Sequence, residues 1–265
     1  MSRKTVTITD VTRMQSGNVC VAGYLPDHTC IRPVLAHGGL AETWLYVASE
    51  VVIRPFAIIE LEVQRLAGGR PPHTEDQVID PIYRRRHALL ADEARARFLN
   101  EILDPDVTTI FGAPIHHESG WYIQAGEGQR SLGTVRPTQV ESVSYRWVEE
   151  GRWEYRLTFQ DAAGAAYRLS VADLAFRYCL DYLRQRKGMA AEEAATCLTH
   201  ALRHRDVYLR IGLARMWQKH PDRCYLQVTG IHTFPDYLQG RCFADLAPAE
   251  HKPAAPAQPR EPLPF

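Results

Sequence analysis

The sequence carries no charge bias: Lys+Arg and Asp+Glu each total 31, so the formal net charge at pH 7 is zero. That excludes a histone-like polycation and an acidic tail protein. Dividing the chain after residue 140 gives 14 basic against 16 acidic residues, then 17 against 15, so neither half as a whole is a charged partner for nucleic acid or membrane. Any anion site must be local. Lysine is scarce: of the 31 basic residues only four are Lys (Lys4, Lys187, Lys219, Lys252), leaving 27 Arg. The planar guanidinium fork suits phosphates and stacks on bases. A GC-rich coding sequence gives the same bias, and the many Ala and Pro residues agree with it.

Long apolar runs are missing as well. No stretch of about 18 apolar residues occurs, and the opening MSRKTVTITD has no signal-peptide core, so the expectation is a cytoplasmic protein without a membrane span. The six cysteines (Cys20, Cys30, Cys179, Cys197, Cys224, Cys242) form no CxxC pair. Neither a disulfide framework nor a zinc knuckle is expected from them. GxSxG, P-loop and GxGxxG motifs are absent too, which leaves acyl transfer, NTP hydrolysis and dinucleotide redox chemistry without local support. No catalytic residue and no cofactor is assigned on these grounds.

What is present is a globular composition, 45% hydrophobic and 23% charged, with strand-like alternation at both ends of the chain. Residues 5–12, 19–25, 30–35 and 56–66 read as strands, with a turn at Ser16-Gly17-Asn18 and a short helical piece at 42–46. Residues 67–82 are loop-like, with three prolines and a Gly pair, and 88–103 shows helical spacing stopped by Asp104-Pro105. In the second half, strands are predicted over 141–149, 153–159 and 167–171, with Glu150-Gly151 as the first hairpin turn. Helices follow at 173–187 and 191–205, then strands at 207–216 and 224–232. Three meandering strands, a helical insert and two further strands make the order of an OB fold. The expectation is a mainly β protein of two OB-like barrels in tandem. The first uses 1–66 and part of 67–136 with a helical insertion at 88–103, its fifth strand unplaced within 77–136. The second uses 137–246. Residues 247–265, APAEHKPAAPAQPREPLPF, read as a Pro-rich disordered tail or tether.

Several phrases carry a family likeness: Thr12-Arg13-Met14 with Gly17 and VCVAG at 19–23, Ile31-Arg32-Pro33-Val34, PHTED at 72–76, Ser131-Leu132-Gly133, Val135-Arg136-Pro137, LRIGLAR at 209–215 and Thr229-Gly230-Ile231. Together they resemble the dual OB-containing domain of bacterial proteins often found near mobile-element and defence genes. The resemblance implies two OB-like barrels and a nucleic-acid or nucleotide ligand, and it supplies no catalytic residues.

Alternation places Arg156, Arg168 and Ser170 outward opposite Trp153, Tyr155, Leu157 and Phe159. It likewise places Tyr208 and Arg210 outward opposite Leu209, Ile211 and Leu213. Arg and Tyr interleaved on a strand face suit single-stranded nucleic acid, where a basic groove combines with base stacking. An ordinary solvated barrel face has the same composition. Arg13, Arg32 and Arg136 recur in the family-like phrases. The expected nucleic-acid contacts are therefore Arg13, Arg32, Arg136, Arg156, Arg210, Arg215, Tyr208 and Tyr225, in DNA or RNA binding. A second reading makes His73, Glu75, Asp76 and His116 ligands of a divalent metal in a nuclease or nucleotide-processing enzyme. A third is a protein-docking adaptor of a larger complex, tethered by the Pro-rich tail.

Overall fold

Period-two burial shapes the strands: AIIELEVQ at Ala57–Gln64 buries every second side chain, the pattern of a strand with one face on a core. The computed structural model describes residues 2–64, 69–148 and 152–248. Its elements begin with β1 (Ser2–Arg13), β2 (Asn18–Tyr24), β3 (Cys30–Val34), β4 (Leu40–Ala41), β5 (Tyr46–Val47), β6 (Glu50–Val51), β7 (Ala57–Gln64), β8 (Asp76–Leu89) and α1 (Asp92–Glu101). The second part holds β9 (His116–His117), β10 (Trp121–Gln124), β11 (Leu132–Val135), β12 (Gln139–Val148), β13 (Arg152–Gln160) and β14 (Ala166–Val171). These lead into α2 (Leu174–Lys187), α3 (Ala191–Arg203), β15 (Asp206–Leu213), β16 (Arg223–Phe234) and α4 (Phe243–Leu246).

β1 belongs to two pairings. Its first half lies antiparallel to β7 (Ser2↔Val63 to Thr7↔Ile58), and its second half, past a bulge between Ile8 and Asp10, lies antiparallel to β2. β2 pairs with β3, β3 runs parallel to β8, and β8 returns to β7. The five strands thus close a ring in the order β1-β2-β3-β8-β7. β8 is the strand left unplaced by the sequence, and it takes up residues read as loop and as the helix start. Pro81 is tolerated there because β3 pairs only with Asp76, Gln77 and Val78, so the edge beyond is open. α1 is accordingly shorter than 88–103: Ala88 and Leu89 pair with Ile58 and Ala57 in the sheet.

The second ring repeats this order. β12-β13-β14 meander, β14 runs parallel to β16, and β16 pairs with β15. β15 then pairs with β11 rather than β12. Only residues 136–138 separate β11 from β12, so these two together fill the place of β1, and the chain itself closes the ring. α2 and α3 lie between β14 and β15 in sequence. Asp173 caps α2 by accepting the N–H groups of Ala175 and Phe176 at 2.8 and 3.1 Å, and Gly188 in the left-handed region (φ +69°) ends it. β10 adds to β16 through Tyr122↔Tyr225.

Each ring buries its inward row: Val6, Ile8, Val21, Ile59 and Leu61 in the first, and Leu157, Phe159, Val171, Leu209, Ile211 and Val228 in the second, all fully enclosed. Burial of one such side chain stabilises by about 1.5–3 kcal/mol. The six cysteines are free. Among the described residues, no helix is long and apolar enough to cross a membrane. The Glu150-Gly151 turn, positions 65–66 and the Pro-rich segment beyond Pro248 lie outside the described residues.

Candidate nucleic-acid interface

Two of the expected contact residues, Tyr208 and Arg210, are not on a surface. Arg210 is fully enclosed. Its Nε donates to Asp10 Oδ2 at 2.9 Å, and one Nη donates to Tyr24 Oη at 2.8 Å and Thr134 Oγ1 at 2.6 Å. Thr9 and Thr229 donate to the same Asp10 carboxylate at 2.6 and 2.5 Å. Burial opposes the Arg210 charge, but Asp10 more than offsets this and keeps the guanidinium protonated. Tyr208 lies beneath α1, its hydroxyl donating to Asn100 at 3.0 Å. The outward assignment fails for one reason. The face of β15 that points away from its own core is covered by α1 and by the first ring.

Arg32 is buried in the same seam, its Nε on Asp76 Oδ1 at 2.6 Å, while Arg215, half exposed, reaches Asp76 Oδ2 at 2.6 Å. Arg13 donates its backbone N–H to Ala172 and sets its guanidinium 5.5 Å from the Tyr178 ring. Arg136 pairs with Asp206 at 2.6 Å and lies over Tyr208. Most of the phrases that carry the family likeness thus lie along the contact between the two rings. Arg210–Asp10 and Arg215–Asp76 are ion pairs across it, Ser131–Glu75 and Arg13–Ala172 are hydrogen bonds across it, and Arg32 holds Asp76 from within the first ring, whereas Arg136–Asp206 is an exposed pair within the second ring.

The metal reading loses its ligands to the same seam. Glu75 accepts from the backbone and hydroxyl of Ser131 at 2.5 and 2.9 Å. Arg32 and Arg215 overcome the effect of burial on Asp76 and hold its carboxyl below the usual range. Burial pushes the His73 imidazole down to about 3. His116 stacks on Tyr122, away from this group in the fold. Among the described residues no three His, Cys, Asp or Glu side chains converge to hold a metal.

Arg156 and Tyr225 do share a surface. The register runs Ser144↔Arg156↔Ser170↔Gln227 across β12, β13, β14 and β16, and paired residues point to the same side of a sheet. The same outer face carries Arg146, Glu154, Thr158 and Arg168. Glu154 on this face accepts from Arg156 at 2.7 Å and Arg146 at 2.9 Å, which hold it down at about 2. Arg168 is exposed. Partial burial, then the neighbouring Arg156 and Arg146, lower its pKa against the opposing effect of Glu154.

At one end of this face an aromatic row continues the site. Trp217, His220, Tyr225, Tyr122 and His116 follow one another at centroid separations of 6.0, 6.0, 5.8 and 5.4 Å. Lys219 lies over Trp217 and Arg223 over Tyr122. Trp217, 48% exposed, and Met216, 60% exposed, stand on the loop between β15 and β16. Trp44 is buried, whereas Trp147 and Trp217 are exposed. The available signal was local: Trp217 sits in a polar segment, MWQKH, with no alternation to bury it.

No protein-family model matches the chain, and no curated protein matches it. Among solved structures, the tetrameric p202 HIN2 is similar to it over 88% of this chain and 91% of that one, at 10% identity and a TM-score of 0.28. At that TM-score the likeness carries no argument.

Proposed function

We propose that the chain binds single-stranded nucleic acid on the outer face of β12-β13-β14-β16, as a member of the dual OB-containing domain class with two OB-like barrels in tandem. Supporting the barrel reading, both rings have the strand order one-two-three-five-four with a parallel third–fifth pairing, which matches an OB fold. Residues 2–89 then form the first barrel, α1 and the segment to residue 131 the connection, and 132–234 the second barrel. The observation that carries the binding reading is Arg146, Arg156 and Arg168 gathered about Glu154, next to an aromatic row whose ends, Trp217 and His116, are exposed. Guanidiniums on a strand face contact phosphates, and accessible aromatic rings stack on bases without sequence preference.

Fluorescence anisotropy with single-stranded and duplex DNA and RNA across a salt series tests this. Single strands bind more tightly than duplexes, and replacing Arg156 and Arg168 together by Ala flattens the slope of log K against log salt by about 1.4, the loss of two phosphate contacts. An unchanged slope removes this face as the site.

A further inference from the structure

A recess lies on the second ring, apart from the strand-binding face, where residues 136–138 interrupt the strand that closes it. It encloses about 720 Å³ between the stretch after α1, the 136–138 kink and the end of α3. That is within the range of small-molecule sites, about 300–1,000 Å³. Its apolar lining is Leu103, Pro137, Val140 and Leu202, and its charged lining is Arg136, Arg203, Arg205 and Asp206, with Asp104 alongside. Leu103 is a large apolar residue left 38% exposed in this lining.

The guanidiniums are anchored yet far from saturated. Arg203 donates to the carbonyls of Val140 and Glu141, and Arg205 donates to that of Ala201. Arg136 has Asp206 as its partner, in a pair whose side chains are 50% and 61% exposed. Such a pair contributes little and yields readily to a better acceptor. Arg205 Nε is buried with no hydrogen-bond partner among the described residues. Each guanidinium offers five donors. Asp104 is neutralised by Arg130, so Arg136, Arg203 and Arg205 against Asp206 leave two positive charges at the recess.

We propose that this recess binds a small phosphomonoester of about mononucleotide size. A phosphomonoester carries about −1.5 to −2 at pH 7, which matches the surplus charge. Its acceptor oxygens suit the fork geometry of Arg136 and Arg205, and its organic body covers the accessible apolar surface of Leu103 and Pro137. The site is separate from the strand-binding face and does not depend on it.

Calorimetric titration of the full chain with AMP, glucose 6-phosphate, adenosine, inorganic phosphate and citrate decides the matter. AMP or glucose 6-phosphate binds, and adenosine and inorganic phosphate each bind at least about tenfold more weakly, since each lacks one half of the recognition. Arg136→Gln, whose partner is exposed and whose loss leaves the melting temperature in place, lowers the phosphomonoester affinity by about tenfold or more. Single-strand affinity is retained in that variant and lost in the Arg156 and Arg168 double variant. No binding of either phosphomonoester at millimolar concentration overturns the proposal. So does equal binding of adenosine, tighter binding of citrate, or an Arg136→Gln variant that binds as wild type.

Discussion

Arg210 donates to three side chains from three different strands, and Asp10 accepts from three donors in turn. Neither charge is solvated, so each is tolerable only because the other is there. Arg210→Met leaves the Asp10 carboxylate buried and uncompensated, and urea denaturation is expected to show a loss of about 3–5 kcal/mol. The paired change Asp10→Asn with Arg210→Met removes both charges and costs less than the single change. A double-variant loss equal to or above the single one disproves the coupling. Trp217 is the opposite kind of residue. It is half exposed and contacts Lys219 and His220 of its own loop, so Trp217→Ala leaves the melting temperature unchanged and weakens single-strand binding by about 1–3 kcal/mol.

At the scale of elements, the strands that join the rings are packed too closely for side chains at certain positions. A Cβ on Gly133 of β11 would lie 2.5 Å from Asp104 Oδ2 and 2.6 Å from Ile110 Cγ2, and one on Gly212 of β15 would lie 2.6 Å from Thr229 Cγ2. This explains the glycines of SLG and LRIGLAR: they let β11, β15 and β16 approach while Asp104 accepts from the Thr134 N–H at 2.9 Å. Gly133→Ala is expected to destabilise by about 1–3 kcal/mol, read as a lower urea midpoint at an unchanged m-value. An unaltered midpoint shows that Asp104 and Ile110 relax freely. α2, α3 and the strands β12 to β16 were legible because their signals are local: alternation in RWEYRLTFQ, an Asp at the head of α2, a Gly at its end. β11, which closes the second ring, lies before the expected start at 137 and is too short to show alternation. β8 was not legible. Its outer half has an open edge and exposed side chains such as Ile82, 85% exposed, so no period-two burial is imposed on the sequence there.

For the whole molecule, the seam makes stability depend on pH through three buried groups. Burial lowers His73 to about 3 and His232 to about 4, both below the unfolded value near 6.5. The unfolded chain therefore binds more protons. The stability tied to these neutral imidazoles is full above about 6.5 and is lost as pH falls toward 4 and 3. Asp173 runs the other way: burial raises it to about 6. Its contribution is full below the unfolded value near 3.9 and lost as pH rises through 6. Two histidines outweigh one carboxyl, so unfolding free energy is expected to fall between pH 6.5 and 4. His232→Asn reduces that slope and Asp173→Asn steepens it. A profile flat from 6.5 to 4 rules this out.

The sequence by itself determined most of the strands and the two helices of the second ring, and which side of those strands faces its own core, because a period of two or 3.6 residues is a local property. It could not determine what lies on the other side. Arg210 and Arg156 read alike from alternation, both outward on strands of the same ring. The first ring covers one and leaves the other on the surface. That distinction depends on Asp10, 200 positions away from Arg210 in the chain, and on how two closed rings dock. Docking is set by long-range complementarity of charge and shape, for which no local periodicity exists.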